Sequence, residues 1–102
     1  MYGAVQKLEN PETVELRRMA GAWLKERREA VGLSQRQMAA RVGVEYHTWI
    51  SQLEAGRGRI PPDSYRVWAD ALQMDVREFV MRLLPLYDPV TAAILFPDKT
   101  GE

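Results

Sequence analysis

Residues 32–56 read GLSQRQMAARVGVEYHTWISQLEAG, and this stretch decides the fold. Ser34 followed three positions later by Gln37 is a capping box, the signal for a helix start. Met38, Ala39 and Val42 then recur at helical spacing and give a short helix, residues 34–42, its inner face. Gly43 breaks it. A second short helix follows over about residues 46–55, with Tyr46, Trp49, Ile50 and Leu53 facing inward and polar groups opposite. Gly56 and Gly58 end it.

The same logic extends in both directions. Upstream, Asn10-Pro11 is a helix start, because Asn caps well and Pro suits the first helical position. Leu16, Ala20, Trp23, Leu24 and Val31 carry that helix to Gly32. Gly21 inside it costs about 1 kcal/mol relative to Ala, so close packing against a neighbour is expected there. Downstream, Arg57 to Ile60 is a basic loop, and Pro61-Pro62-Asp63 opens a fourth helix on Tyr65, Trp68, Ala69 and Leu72. Asp75 caps a fifth with Val76, Phe79, Val80, Leu83 and Leu84, and Pro85 is expected to stop it. Asp88-Pro89 starts a short apolar segment that ends near Phe96. No stretch shows strand alternation. The expectation is an all-α, compact five-helix domain over residues 11–84. A flexible arm precedes it at 1–10, and residues 85–102 form a short C-terminal helical extension with a polar tail. Trp23, Trp49, Trp68 and Phe79 are expected in the core.

Composition agrees with one small globular unit. The chain has 102 residues, 46% of them hydrophobic and 27% charged. Folding a chain of this mass hides about 65% of its surface, enough for a single core without metal or disulfide. Cysteine is absent, which excludes a disulfide framework, a thiolate metal site and a cysteine nucleophile. No apolar run approaches the length of about 18 residues that marks a membrane span, and residues 1–10 lack a signal-peptide core. A cytoplasmic protein without a membrane partner is expected. Net charge is zero, but residues 34–66 carry five basic groups against three acidic, and residues 67–102 carry three against six. A local basic face acts over roughly a Debye length, about 8 Å, even when the total cancels.

Two short helices joined by a tight glycine turn fit the helix-turn-helix layout. Here the sequence resembles the Cro/repressor-type helix-turn-helix family, also called XRE. The resemblance rests on Gly32-Leu33-Ser34-Gln35, Met38-Ala39, Gly43-Val44, and Ile50 through Gly56. Arg28, Pro61, Ala69-Asp70-Ala71-Leu72 and Val76 extend it over about residues 22–84. The stretch from Gly43 to Glu54 is one residue longer than the usual family spacing. The extra residue is placed in the turn near Val44 to Tyr46. The resemblance implies a bacterial or phage transcriptional regulator that binds duplex DNA in the major groove. A helix about 10 Å across fits that groove, about 12 Å wide. It also implies roles: Gln35 on a phosphate or a neighbouring side chain, Gln52 reading a base, and Tyr46, His47, Thr48 and Ser51 beside it. Arg57 and Arg59 are expected on phosphates, with Arg36 or Arg41. Glu54 is expected to be a structural partner, for example of Arg28.

Other chemistries are not supported by the residues. His47 is the lone histidine, so no metal cluster and no cofactor are expected. Ser34, Ser51 and Ser64 are the serines that His47 would have to activate, and helix chemistry already explains them. An enzyme is not expected. The remaining feature is apolar surface at Leu86, Tyr87, Val90, Ile94, Leu95 and Phe96. It either folds back on the core or joins two copies, and a homodimer would set two recognition helices about 34–36 Å apart on a two-fold symmetric operator. Further partners are RNA polymerase or a regulatory protein. The alternative function is a protein-interaction module, an antitoxin or adaptor on the same fold, and the acidic C-terminal third favours it.

Overall fold

The computed structural model describes residues 10–97. Residues 1–9 of the arm expected at 1–10 and the last residues of the polar tail lie outside that span. Among the described residues six α-helices follow one another: α1 (Pro11–Ala30), α2 (Gln35–Val42), α3 (His47–Glu54), α4 (Tyr65–Ala71), α5 (Val76–Tyr87) and α6 (Pro89–Leu95). A 3₁₀ turn, Pro62–Ser64, leads into α4. No strand occurs among the described residues.

Local chemistry sets the boundaries. Asn10 accepts a hydrogen bond from the Glu12 amide at 2.8 Å, and Pro11 occupies the first helical position of α1. The Ser34 hydroxyl accepts from the Gln37 amide at 3.0 Å, while the Ser34 amide donates to the Gln37 side chain at 2.8 Å. That reciprocal pair starts α2. Gly43 ends α2 at φ +80°, a left-handed conformation that costs a glycine nothing. Asp75 caps α5 through the Glu78 amide.

The helices close around one core. α1 packs on α3 and α5, α2 on α3 and α4, α4 on α5, and α6 on α5. Trp68, Phe79, Leu24, Met38, Ile50, Leu53, Ile60, Leu72 and Leu83 are fully buried. Trp23 and Trp49 are half-buried at its margin. Trp23 stands 5.7 Å from Phe79, and Trp49 meets Trp68 edge-on at 6.3 Å between ring centroids.

Three expectations are corrected. Pro85 does not stop the fifth helix, because α5 runs through it to Tyr87. A proline inside a helix forfeits one backbone hydrogen bond and costs about 3 kcal/mol. Burial of Leu83 on one side of it and Tyr87 on the other offsets that cost, while Pro85 itself faces solvent. The boundary expected at residue 85 therefore falls inside a helix, and the chain turns instead at Asp88, which caps α6 through the Thr91 amide at 3.1 Å. Tyr46 does not face inward: it precedes α3 in extended conformation and is exposed. Tyr87 is not on an outer surface. It is 5% exposed, and its hydroxyl accepts the Ile60 amide at 3.2 Å.

Candidate nucleic-acid interface

The α2–turn–α3 unit presents one helix outward. Four residues, Gly43 to Tyr46, separate α2 from α3, and α3 is regular from His47. The turn ends at Tyr46, and α3 runs unbroken from there to Glu54. Ile50 and Leu53 are buried and Trp49 half-buried, which orients the rest. Thr48, Ser51, Gln52 and Ala55 are all exposed at i, i+3, i+4 and i+7. They form one stripe along a helix of eight residues, about 12 Å long. His47 is half-buried beside them.

The far end of α3 is held rigidly. The Glu54 carboxylate receives Arg28 Nε at 2.6 Å and Arg28 Nη2 at 3.1 Å, and both side chains are over nine-tenths buried. Arg28 Nη1 donates to the Leu33 carbonyl at 2.7 Å, and Gln35 Nε2 donates to Glu54 at 3.0 Å. One carboxylate therefore ties α1, α2 and α3 together. The hydrogen bond to Glu54, with its charge, holds the Arg28 guanidinium protonated above its ordinary range. Gly21 lies against the same end. A Cβ there would come within 2.6 Å of the Leu53 carbonyl oxygen and closer still to that of Glu54. The close packing expected from Gly21 is therefore against the last turn of α3.

The basic residues divide into separate places. Arg36 is exposed and shares a shallow hollow of about 210 Å³ with Val44, Glu45 and His47, next to the start of α3. Arg41 opens onto a different hollow, about 300 Å³, with Val67 and Asp70 of α4. The structure does not bring Arg41 together with the α3 stripe. Gln35 is half-buried with its amide engaged on Glu54. Arg57 lines a cleft of about 410 Å³ with Arg17 and Arg18 of α1. The Arg59 guanidinium lies 5.0 Å over the Tyr87 ring, and that of Arg17 lies 5.9 Å over it. Burial, the largest influence, pushes the Tyr87 phenol above its ordinary value of 10, and the Ile60 amide and both guanidiniums pull it back.

Arg17 and Arg18 did not emerge from the sequence as site candidates. Helical periodicity places them on α1 but gives no sign of what the first half of α1 meets in space. On α6, Val90 is 70%, Ile94 71% and Leu95 59% exposed, Leu86 and Phe96 are half-buried, and Ala92 is buried.

A profile of the helix-turn-helix domain matches residues 20–79, which takes in α1 from Ala20 to the first turn of α5. The chain belongs to the helix-turn-helix domain family. That assignment agrees with the buried Arg28–Glu54 pair, the capped α2 and the outward stripe of α3, and marks the protein as a DNA-binding domain by family. A search of curated proteins returns no match. Among the described residues no helix is long and apolar enough to cross a membrane, and no cluster of His, Asp and Glu is grouped to hold a metal ion.

Proposed function

We propose that this helix-turn-helix domain binds duplex DNA sequence-specifically and regulates transcription as a homodimer. The observation that carries the reading is the α3 stripe: Thr48, Ser51 and Gln52 point outward on a helix whose C-terminal end is locked in place. Gln52 supplies the bidentate amide that recognises adenine, a contact worth about 1–3 kcal/mol of discrimination. Tyr46, Thr48 and Ser51 line the groove floor beside it, with His47 at its edge. Arg36, at the start of α2, and Arg57 and Arg59, in the loop leaving α3, bind phosphates on the two sides. Arg41, which opens toward α4, takes a phosphate farther from α3, and Gln35 supports Glu54 through its side-chain amide.

The exposed apolar face of α6 supports a second copy as the partner, since Val90, Ile94 and Leu95 stand clear of the core. The same face favours a second reading, a module that docks a regulatory protein or RNA polymerase. Selection from fragmented genomic DNA, under excess competitor at physiological salt, separates the two. An enriched motif with half-sites about ten base pairs apart supports the dimeric reader. Recovery of no motif by folded protein refutes it and leaves the docking module.

A further inference from the structure

We propose that Arg17 and Arg18, two arginines of α1 that precede the matched family span, complete a second seat for the DNA phosphate backbone beside the end of α3. The inference rests on the duplex-DNA reading above and extends the contact surface past the motif.

The seat is the 410 Å³ cleft between the first half of α1 and the turn that leaves α3. Gly56 sets its depth. It has φ +87°, and a Cβ there would lie 2.9 Å from the Arg18 Cα and 3.0 Å from the Arg18 nitrogen. The two backbones therefore touch, which brings the stems of Arg17 and Arg18 to the loop that carries Arg57. Arg17, Arg18 and Arg57 line the cleft, and no acidic residue does. Glu15 is engaged with Arg18 at 2.6 Å, but both side chains are more than half exposed. An exposed pair of that kind is worth about 0–1 kcal/mol, so a phosphate displaces it readily.

Arg17 is placed in advance. Its guanidinium stacks over Tyr87, and its Nε is buried with no hydrogen-bond partner among the described residues. The Ser51, Gln52 and Leu53 carbonyls of the last α3 turns accept from the amides of Ala55, Gly56 and Arg57, and the three arginines outweigh the partial negative charge of the helix end. A phosphodiester fits this surroundings: it carries one negative charge on two oxygens, and a planar guanidinium binds such a pair with two parallel hydrogen bonds. A helix lying in the major groove also has a phosphate wall on either side, and the cleft opens beside the end of that helix.

The test is fluorescence anisotropy of the full chain on a mixed-sequence duplex across a range of salt. Arg18→Gln and Arg57→Gln should each flatten the log–log salt dependence by about 0.9, the loss of one phosphate contact. Arg77→Gln, on exposed α5 surface, should leave it unchanged. Arg18→Gln touches no core residue, so its folding is secure, and Arg17→Lys checks the stacked position with charge retained. A wild-type slope in Arg18→Gln, with a reduced one in Arg57→Gln, overturns the inference and leaves the DNA reading intact. Absence of salt-dependent duplex binding by the wild type overturns both. Titration of the Arg17 Nε–H signal separates the ligand sources. A response to duplex supports the seat, and a response to inorganic phosphate but not duplex reduces it to a free-ion site and overturns it.

Discussion

The buried pair between Arg28 and Glu54 permits a quantitative prediction. Leucine replacement of either partner strands the other in a site where each side chain is less than a tenth exposed. Arg28→Leu removes two charge-assisted hydrogen bonds from the carboxylate and one from the Leu33 carbonyl, leaving Glu54 with Gln35 alone. Charge-assisted bonds contribute about 1.5–3 kcal/mol each, and removing one partner of a buried pair typically costs about 3–5 kcal/mol. A domain of this size has about 5–15 kcal/mol in total, so each single variant loses a large share of it. The double variant should cost much less than the sum, because the second change removes the charge that the first one stranded. A coupling of about 2 kcal/mol or more is expected. Urea unfolding followed by the fluorescence of the three tryptophans measures all four corners, with an unchanged m value as the check on two-state behaviour. Single variants that each cost under about 1 kcal/mol, or costs that add within about 0.5 kcal/mol, would refute the claim that this pair holds the three helices.

Four further outcomes are expected. Gly21→Ala should destabilise by about 2 kcal/mol despite its better helix propensity, since the added methyl meets backbone carbonyls; a rise in Tm would contradict the close approach. Tyr87→Phe should cost about 1–2 kcal/mol by leaving the buried Ile60 amide without its acceptor. The Tyr87 phenol titrates above its ordinary value of 10 in the fold, so its contribution is complete below that pH and declines as pH rises through the folded value. The phenylalanine variant should lack this alkaline decline in stability, and an identical alkaline limb counts against it. Asp88 titrates in the opposite sense: the Thr91 hydroxyl at 2.7 Å, then the Thr91 amide, hold its carboxylate below the ordinary 3.8. Its support for α6 is present above that value and is lost as pH falls through the depressed one, so the protection factors of α6 amides, corrected for intrinsic exchange, should fall in acid, and Asp88→Asn should flatten that acid dependence. Ile94→Asp should convert a dimer to a monomer in sedimentation without loss of stability; an unchanged mass argues against α6 as the joint.

Most of the fold was legible because its signals are local. The Ser34–Gln37 box, the Asn10 and Asp75 caps and the spacing of Trp68, Ala69 and Leu72 each depend on residues within two turns of one another. The Arg28–Glu54 pair lies 26 residues apart and was reached through the family resemblance, not through spacing. The misses share a cause. Pro85 is a local stop signal that tertiary burial of Leu83 and Tyr87 overrides, and Tyr87, open in the sequence between the core and a joint with a second copy, lies in the core. Tyr46 sits at the spacing of the inner face but falls one position outside the helix that imposes it. The cleft at Arg17, Arg18 and Arg57 joins two segments that no periodicity relates.

The two ends of α3 differ in how they are held, and the difference bears on how a sequence would be read. At the C-terminal end, Gly21 and Gly56 bring α1 against backbone, and Arg28 clamps Glu54. At the N-terminal end, Tyr46, the last of the four turn residues, caps with no side-chain hydrogen bond. On the proposed duplex-DNA reading, position in the groove is set from α1, through contacts that touch no base, while the first turn of α3, held by no side-chain cap, is the part that adjusts to one. Substitutions at Gly21 or Arg28 should then weaken all duplexes together, because they move the whole helix. Substitutions at Tyr46 or Thr48 should change the ranking of sequences and leave the salt dependence alone. A specificity profile that shifted with Arg28 and not with Thr48 would reverse this assignment of the two ends.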